Sequence, residues 1–250
     1  MTKVFIHGVP ETAAIWKPLL GELIALGHHD VVCLSPPGFG TPLPDEFGAS
    51  VEEYRDWLVN ELSKFDTPVH LVGHDWGGGH VVGVAMSRPD LLLSWVTDII
   101  GAFEPGYVWH EAAQIWQRAG DGERHLEQLF SGSASDKATR MREFGIPGPA
   151  SDEVSAAQGP EMARAILALY RSAAQPALVH IGGNLVAASA RPGMAIIATE
   201  DQAVGSFEAR LRGAERAGAR AEVLEGLGHW WMLEDPVRAA QVLITFWNAP

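Results

Sequence analysis

The chain has 250 residues, 47% hydrophobic and 20% charged, an ordinary composition for one globular domain with a large core. Its formal net charge of −13 argues against a nucleic acid or an anionic membrane surface as a partner, because phosphate groups would repel it. The single cysteine excludes an intramolecular disulfide and a cluster of thiolate metal ligands.

Short apolar runs alternate with longer segments of helical spacing along most of the chain. The apolar runs predict β-strands at residues 3–7, 30–34, 69–73, 95–100, 193–199 and 221–226. The intervening segments predict helices at residues 13–26, 50–64, 77–87, 204–217 and 235–247. Such alternation is typical of a parallel sheet with helices on both faces, so we predict an α/β fold with about six strands.

The stretch from about Glu104 to Ile181 interrupts this alternation, because it contains no convincing strand. An insertion after the carboxyl end of a strand lies over the crevice where doubly wound sheets bind ligands. We therefore predict a core domain from residues 1–103 and 182–250, with residues 104–181 inserted as a helical cap that acts as a lid.

The first residues, Met1 to Lys3, lead directly into the apolar run "VFIHG" without a signal-peptide pattern. No apolar stretch reaches the ~18 to 20 residues that a membrane-spanning helix needs. We predict a cytoplasmic protein in which Cys33 is a reduced, buried strand residue.

Residues 69–80 read "VHLVGHDWGGGH" and indicate a sharp strand–turn–helix elbow. Gly73 and Gly77 flank Asp75, which stands where Gly-x-Ser-x-Gly hydrolases have serine. The glycines are needed because neighbouring side chains would collide in so tight a turn. A helix starting near Trp76 adds positive potential, so we predict that Asp75 is an ionised nucleophile facing a cavity.

Two partners follow Asp75 in the order that this elbow motif uses. Asp201 ends the run "MAIIATED", and His229 lies in the loop of "EGLGHWWMLEDP". We predict that Asp201 holds the His229 imidazole in one tautomer and that His229 takes a proton from water. Asp98 is either a buried paired acid or a substitute relay acid, whereas Glu200 is interpreted as a solvated loop acid.

The segment "HGVPE" at residues 7–11 predicts an oxyanion hole. The backbone N–H of Val9 follows a strand end and, together with the N–H of Trp76, would supply two donors. His7 and His74 are interpreted as structural turn residues. The remaining histidines show no spacing for a metal site, so we predict no metal and no organic cofactor.

These segments together resemble the α/β-hydrolase superfamily, and within it the aspartate-nucleophile branch of epoxide hydrolases and haloalkane dehalogenases. The run Gly73 to Gly78 matches the elbow of that branch, and "HGVPE" is similar to the epoxide-hydrolase His-Gly-x-Pro with a following acid. The resemblance spans nearly the whole chain and implies an α/β-hydrolase fold that lacks the first two strands of the superfamily.

A carboxylate nucleophile suits displacement at a saturated carbon, because attack on an acyl carbon would give an anhydride. Displacement joins the substrate to Asp75 as an ester. Water activated by His229 then attacks the ester carbonyl, while the N–H groups of Val9 and Trp76 stabilise the oxyanion.

The resemblance implies that lid residues decide which leaving group is accepted. Epoxide hydrolases use two lid tyrosines as donors to the ring oxygen, and "ILALYRSA" places Tyr170 in the setting of one of them. Alignment on the Gln117–Gly120 segment puts Ala112 where the other tyrosine belongs. Its substitute stays open among Tyr107, Trp109, His110 and Trp116.

The sequence therefore predicts an epoxide hydrolase that forms a vicinal diol from a small-molecule epoxide. A haloalkane dehalogenase is the first alternative, favoured by Trp76 and the lid tryptophans but opposed by Val9, where many dehalogenases have a halide-binding Asn. A catalytically silent small-molecule receptor is the second alternative. The expected substrate-binding residues are Trp76, Trp109, His110 and Trp116, and a homodimer is left open.

Overall fold

The structure, a computed structural model, describes residues 1–249. Within this range one sheet has six parallel strands in the order β2-β1-β3-β4-β5-β6. The strands are β1 Lys3–Ile6, β2 Val31–Leu34, β3 Val69–Gly73, β4 Leu92–Thr97, β5 Gly193–Ala198 and β6 Ala219–Leu224. The predicted six-stranded parallel sheet is confirmed.

Strands β1 and β5 are buried along their whole length, as near-continuous apolar runs predict for a sheet covered on both faces. Strand β4 begins three residues before its predicted start, because Leu92 pairs with Val69 on β3. It also ends earlier than predicted, since Asp98 leaves the sheet and residues Ile100–Phe103 form a 3-10 helix. Strand β6 likewise lies two residues earlier, where Ala219 pairs with Gly193.

Helices cover both faces of the sheet. They are α1 Lys17–Ala25, α2 Val51–Leu62, α3 Trp76–Ser87, α10 Phe207–Arg216, α11 Trp231–Glu234 and α12 Pro236–Trp247. One apolar cluster joins one sheet face to α2 and α3 through side chains such as Tyr54 and Val82. The other joins the opposite face to α1 and α12 through side chains such as Leu19 and Leu243.

Six helices follow β4 before the chain returns to the sheet as β5. They are α4 Glu111–Gln117, α5 Asp121–Leu129, α6 Ala134–Phe144, α7 Gly148–Ala157, α8 Pro160–Ser172 and α9 Ala177–Gly182, and a 3-10 helix at Leu185–Ala190 completes the connection. Helix α4 packs against α5 and α8, and α6 packs against α7. The division of the chain at residues 104 and 181 stays a prediction. None of the helices in residues 1–249 is both long and apolar enough to cross a bilayer.

Candidate active site

Asp75 lies in a sharp turn between the end of β3 and the start of α3. Its φ of +49° and ψ of −128° place it outside the conformations that non-glycine residues normally adopt. The turn packs directly on β1, because a Cβ atom at Gly77 would lie 2.4 Å from the Ile6 carbonyl oxygen. The strained turn therefore needs glycine beside it and projects Asp75 at the carboxyl edge of the sheet.

The structure brings the three predicted catalytic side chains together. His229 Nδ1 is 2.9 Å from Asp201 Oδ2, and His229 Nε2 is 4.0 Å from Asp75 Oδ2. The other oxygen of Asp201 accepts a hydrogen bond from the Ala203 N–H at 2.8 Å, which orients the carboxylate. The imidazole thus lies between an orienting acid and the candidate nucleophile.

The two predicted oxyanion donors face the same carboxylate. Asp75 Oδ1 accepts the Val9 N–H at 3.0 Å, and the Trp76 backbone N–H also points to the Asp75 carboxylate. The loop carrying Val9 approaches closely, since a Cβ atom at Gly8 would lie 2.4 Å from Asp75 Oδ1. The Val9 N–H therefore holds Oδ1, while Oδ2 faces His229.

Burial and neighbouring charges shift the proton affinities in this site. Burial raises the pKa of Asp75 to about 6, although the nearby His229 and His74 charges oppose the rise. For His229, burial lowers the pKa, but attraction to Asp201 outweighs it and the pKa lies above its ordinary value. Burial alone would raise the pKa of Asp201, but the charge and hydrogen bond of His229 outweigh it, so the pKa lies below its ordinary value. At neutral pH both acids are therefore ionised.

A cavity of about 300 Å³ opens over Asp75 and His229. Of the predicted substrate and donor residues, His110, Trp116 and Tyr170 line it, as does Ala112. The apolar part of its wall is formed by Leu129, Met141, Phe144 and Ile146. The cavity therefore lies between the elbow and helices α4, α5, α6 and α8.

Two predicted substrate-binding residues, Trp76 and Trp109, lie outside the lining of this cavity. Their rings stack on each other with centroids 5.8 Å apart, and both side chains are buried. Tyr170 packs edge-on against each of them at 5.5 Å. They form the layer behind Tyr170, outside the lining of this cavity, and their part in substrate binding stays a prediction.

A sequence profile of the alpha/beta hydrolase family matches residues 4–242. The chain belongs to the alpha/beta hydrolase family. The predicted α/β-hydrolase fold and superfamily membership are thereby confirmed, while the aspartate-nucleophile branch stays a prediction for this family member.

Similar proteins include hydrolases of several kinds. The (E)-2-((N-methylformamido)methylene)succinate hydrolase of Acinetobacter baylyi is 29% identical over 147 residues, which cover 56% of this chain and 54% of that protein. The match thus spans about half the length of that relative. In fold, the chain is similar to E-2-(acetamidomethylene)succinate hydrolase, with a TM-score of 0.74 and 17% identity over 99% of this chain and 91% of that one. It is also similar to haloalkane dehalogenase DbeA from Bradyrhizobium elkani, with a TM-score of 0.70 and 16% identity over 100% and 91% of the two chains.

This alpha/beta hydrolase family member uses Asp98 as a paired buried acid and not as the partner of His229. Asp98 Oδ2 is 2.5 Å from His74 Nδ1, and Asp98 Oδ1 accepts the Asp75 N–H at 2.8 Å. Glu200 is exposed, as expected of a loop acid. The structure therefore places Asp201, and not Asp98, beside His229, and the relay role of Asp201 stays a prediction.

Sequence reasoning missed Glu11 as part of the site, and Trp230, one of a tryptophan pair interpreted as packing or as a ring that shapes the pocket, lines the cavity. Glu11 is fully buried and accepts hydrogen bonds from the Gly8 N–H at 3.0 Å and from Trp230 Nε1. Its position in "HGVPE" was the available signal, but nothing in the local pattern shows what a buried carboxylate there contacts.

Glu11, His74 and His229 each bring one potential metal-ligand atom within 4.8 Å of the others. Both nitrogens of His74 already face carboxylate oxygens, one on Glu11 and one on Asp98. His229 Nδ1 is likewise engaged by Asp201. These contacts identify the cluster as an ion-paired network in which His74 has no free lone pair for a metal.

Proposed function

We propose that the protein is an epoxide hydrolase that opens a neutral, lipophilic epoxide to a vicinal diol through an ester on Asp75. One observation carries the proposal. Asp75 Oδ1 is bonded to the Val9 N–H, while Oδ2 faces His229 in a cavity that Tyr170 also lines. A nucleophile, a base and a proton donor for the leaving oxygen thus face the same cavity.

In the first step Asp75 Oδ2 attacks a ring carbon, the ring C–O bond breaks, and the departing oxygen takes a proton from Tyr170. Burial and the Asp75 charge hold the pKa of Tyr170 well above its ordinary value, so the hydroxyl is protonated at the start. Ester formation removes the Asp75 charge and with it part of that rise. Tyr170 therefore becomes a better acid as the alkoxide develops.

In the second step His229 takes a proton from water, and the water oxygen attacks the ester carbonyl of Asp75. The Asp75 charge helps to hold a proton on His229 in the resting enzyme. Alkylation removes that charge, so the imidazole can release its proton and act as a base. The Val9 N–H, 3.0 Å from Oδ1, then stabilises the tetrahedral oxyanion. When this intermediate collapses, the bond between the Asp75 carbonyl carbon and the product oxygen breaks, and the diol leaves with the proton that His229 took from water. The proton on the regenerated Asp75 carboxyl returns to the Tyr170 phenolate, which restores the resting enzyme.

His110 is the best second donor to the departing oxygen. Its Nδ1 accepts the Ala113 N–H at 3.2 Å, which places the ring proton on Nε2. Burial lowers the pKa of His110 to about 4, so at neutral pH it is an uncharged N–H donor on the cavity wall. Of the other candidates, Tyr107 donates to the Ala203 carbonyl, Trp116 donates to His125, and Trp109 lies outside the cavity lining.

The cavity wall favours an uncharged substrate. Among the described residues that line it there is no lysine or arginine, and Asp75 contributes a negative charge. A carboxylate group would be repelled by Asp75, and the charge of His229 is already paired with Asp75 and Asp201. The succinate substrates named for the similar hydrolases therefore fit this cavity less well than an apolar epoxide with an alkyl or aryl substituent.

A haloalkane dehalogenase is the second candidate, and one observation favours it. The indole N–H groups of Trp76 and Trp109 are buried without a hydrogen-bond partner in the described part of the chain. A halide ion binds to N–H donors of this kind. Neither indole lines the cavity in this structure, so halide binding requires Tyr170 to move aside.

The test is a single turnover in ¹⁸O-labelled water with matched epoxides and haloalkanes. A covalent route puts unlabelled oxygen from Asp75 into the first product and leaves the label in the Asp75 carboxylate. Diol formation supports the epoxide hydrolase, whereas halide release from the haloalkanes supports the second candidate. Label in the first product would contradict the ester route, and tight binding without turnover that survives Asp75→Asn would indicate a receptor.

A further inference from the structure

Behind the site, three charged side chains form a contact group that the proposed reaction does not use directly. His74 Nδ1 is 2.5 Å from Asp98 Oδ2, and His74 Nε2 is 3.1 Å from Glu11 Oε1. Glu11 and His74 are fully buried, and Asp98 is 2% exposed. Because carboxylate oxygens face both ring nitrogens, both nitrogens must carry protons, which makes His74 an imidazolium.

Each carboxylate of this group also holds part of the active site. Asp98 Oδ1 accepts the Asp75 N–H at 2.8 Å, at the residue with the strained elbow conformation. Glu11 Oε2 accepts the Gly8 N–H at 3.0 Å, next to the oxyanion donor. The nucleophile turn and the oxyanion loop are thus attached to one buried group.

The loop that carries the histidine base is attached to the same group. Trp230 Nε1 donates to Glu11, and Trp231 Nε1 donates to Asp98 Oδ2 at 2.8 Å. These are the two residues that follow His229 in the chain. The imidazole of His229 also packs on His74, with ring centroids 4.6 Å apart.

We propose that Glu11, His74 and Asp98 form a positioning unit, in which a permanent imidazolium ties the nucleophile turn, the oxyanion loop and the histidine loop into one arrangement. The inference rests on the proposed function only where it predicts an effect on the rate of turnover. The unit touches no substrate, since none of its three members lines the cavity. Its members are positioning residues for the reaction at Asp75.

The charges around His74 support a permanent imidazolium. Burial alone would lower the pKa of His74, but the two carboxylates raise it well above the ordinary value. Burial alone would raise the pKa of Glu11, but the charge and hydrogen bond of His74 outweigh it and the pKa lies at about 2. The titratable groups facing the unit are His7 on the oxyanion loop, Asp75 on the elbow and His229 on the histidine loop.

Glu11→Gln tests the unit, because it preserves shape but removes one charge and one acceptor. The glutamine amide can hold the Gly8 N–H only by turning its NH₂ group toward His74 and Trp230, which are both donors. His74 must then lose a proton, and the loops shift relative to one another. We expect kcat to fall at least tenfold with KM within twofold, because misplacement near an angstrom costs up to about a hundredfold.

The matched control is Glu104→Gln, the same substitution at another buried carboxylate. Glu104 pairs with Arg212 and Arg216 and lies outside the cavity lining. We expect it to leave kcat and KM close to wild type. Equal kinetics for the two variants, both folded by circular dichroism, would overturn the positioning role.

A second measurement is made on the wild-type protein and needs no turnover. In ¹⁵N-histidine-labelled wild-type protein, we expect both nitrogens of His74 to stay protonated from pH 5 to pH 9, as ¹H–¹⁵N spectra report. His74→Gln identifies the resonances. A His74 ring with a single proton at pH 7 would overturn the proposal even if no substrate of the enzyme were known. Failure of the epoxide assignment alone would leave this readout unchanged.

Discussion

Replacing His229 by glutamine separates the two chemical steps of the proposed reaction. His229 Nε2 is 4.0 Å from Asp75 Oδ2, so the substitution does not remove a contact that attack on the substrate requires. Glutamine cannot accept a proton from water, so ester hydrolysis loses its general base. That function contributes about 10²–10⁴-fold, equivalent to about 3–5 kcal/mol in the barrier of the second step.

The variant also changes the pH at which the first step runs. The His229 charge lowers the pKa of Asp75, so in its absence the pKa rises above the wild-type value of about 6. Asp75 must be ionised to attack, which makes alkylation faster as the pH rises through that pKa. We therefore expect His229→Gln to form the ester readily near pH 8.5, with a burst of one equivalent and little later turnover.

Intact-protein mass spectrometry after rapid quenching measures the ester as an added substrate mass, and peptide mapping places it on Asp75. Asp75→Asn in the same background abolishes the adduct. His125→Gln serves as the matched control, because His125 lines the cavity but contacts Trp116 and not Asp75. Turnover by His229→Gln at the wild-type rate, or its complete inactivity without an adduct, would refute the reasoning.

Three further predictions follow from single contacts. Tyr170→Phe should lower kcat/KM on epoxides about a hundredfold. Tyr107→Phe should stay within a few-fold of wild type, because the Tyr107 hydroxyl is already bonded to a backbone carbonyl. Steady-state kinetics check both variants, and equal losses would contradict the donor role of Tyr170. Gly8→Ala puts a Cβ 2.4 Å from Asp75 and should lower kcat about 10²–10³-fold, while Gly21→Ala, with no atom within 4 Å of its Cβ, should keep wild-type activity. Asp75→Asn should unfold at a higher temperature than wild type at pH 8, because a pKa of about 6 against 3.8 means that the fold favours the protonated acid. The stabilisation from the protonated acid is present below about pH 4 and is lost as the pH rises through 6. The Asp75→Asn substitution therefore restores at most about 3 kcal/mol of unfolding free energy at pH 8. Calorimetry that showed an equal gain at pH 4 would contradict this linkage.

Local patterns were sufficient for the sheet and the elbow. The strand at residues 193–199 was predictable because a strand buried on both faces must be apolar at every position, and the observed strand is Gly193–Ala198. Gly73 and Gly77 were equally informative, since each contacts backbone too closely to carry a side chain. Strand β4 was placed three residues too late, because Ile99 and Ile100 extend the apolar run beyond Asp98 although the chain has left the sheet there.

The sequence by itself determined the fold class, the elbow at Asp75 and the order of acid and histidine, because these depend on periodicity and on glycine positions along a short segment. Only the tertiary structure decided which acid serves which histidine. Asp98 pairs with His74 and Asp201 with His229, across 24 and 28 residues of chain. It also decided that Tyr170 faces the cavity while Trp76 and Trp109 lie behind it. Those choices depend on how distant strands and helices pack, and packing geometry leaves no periodic trace in the order of the residues.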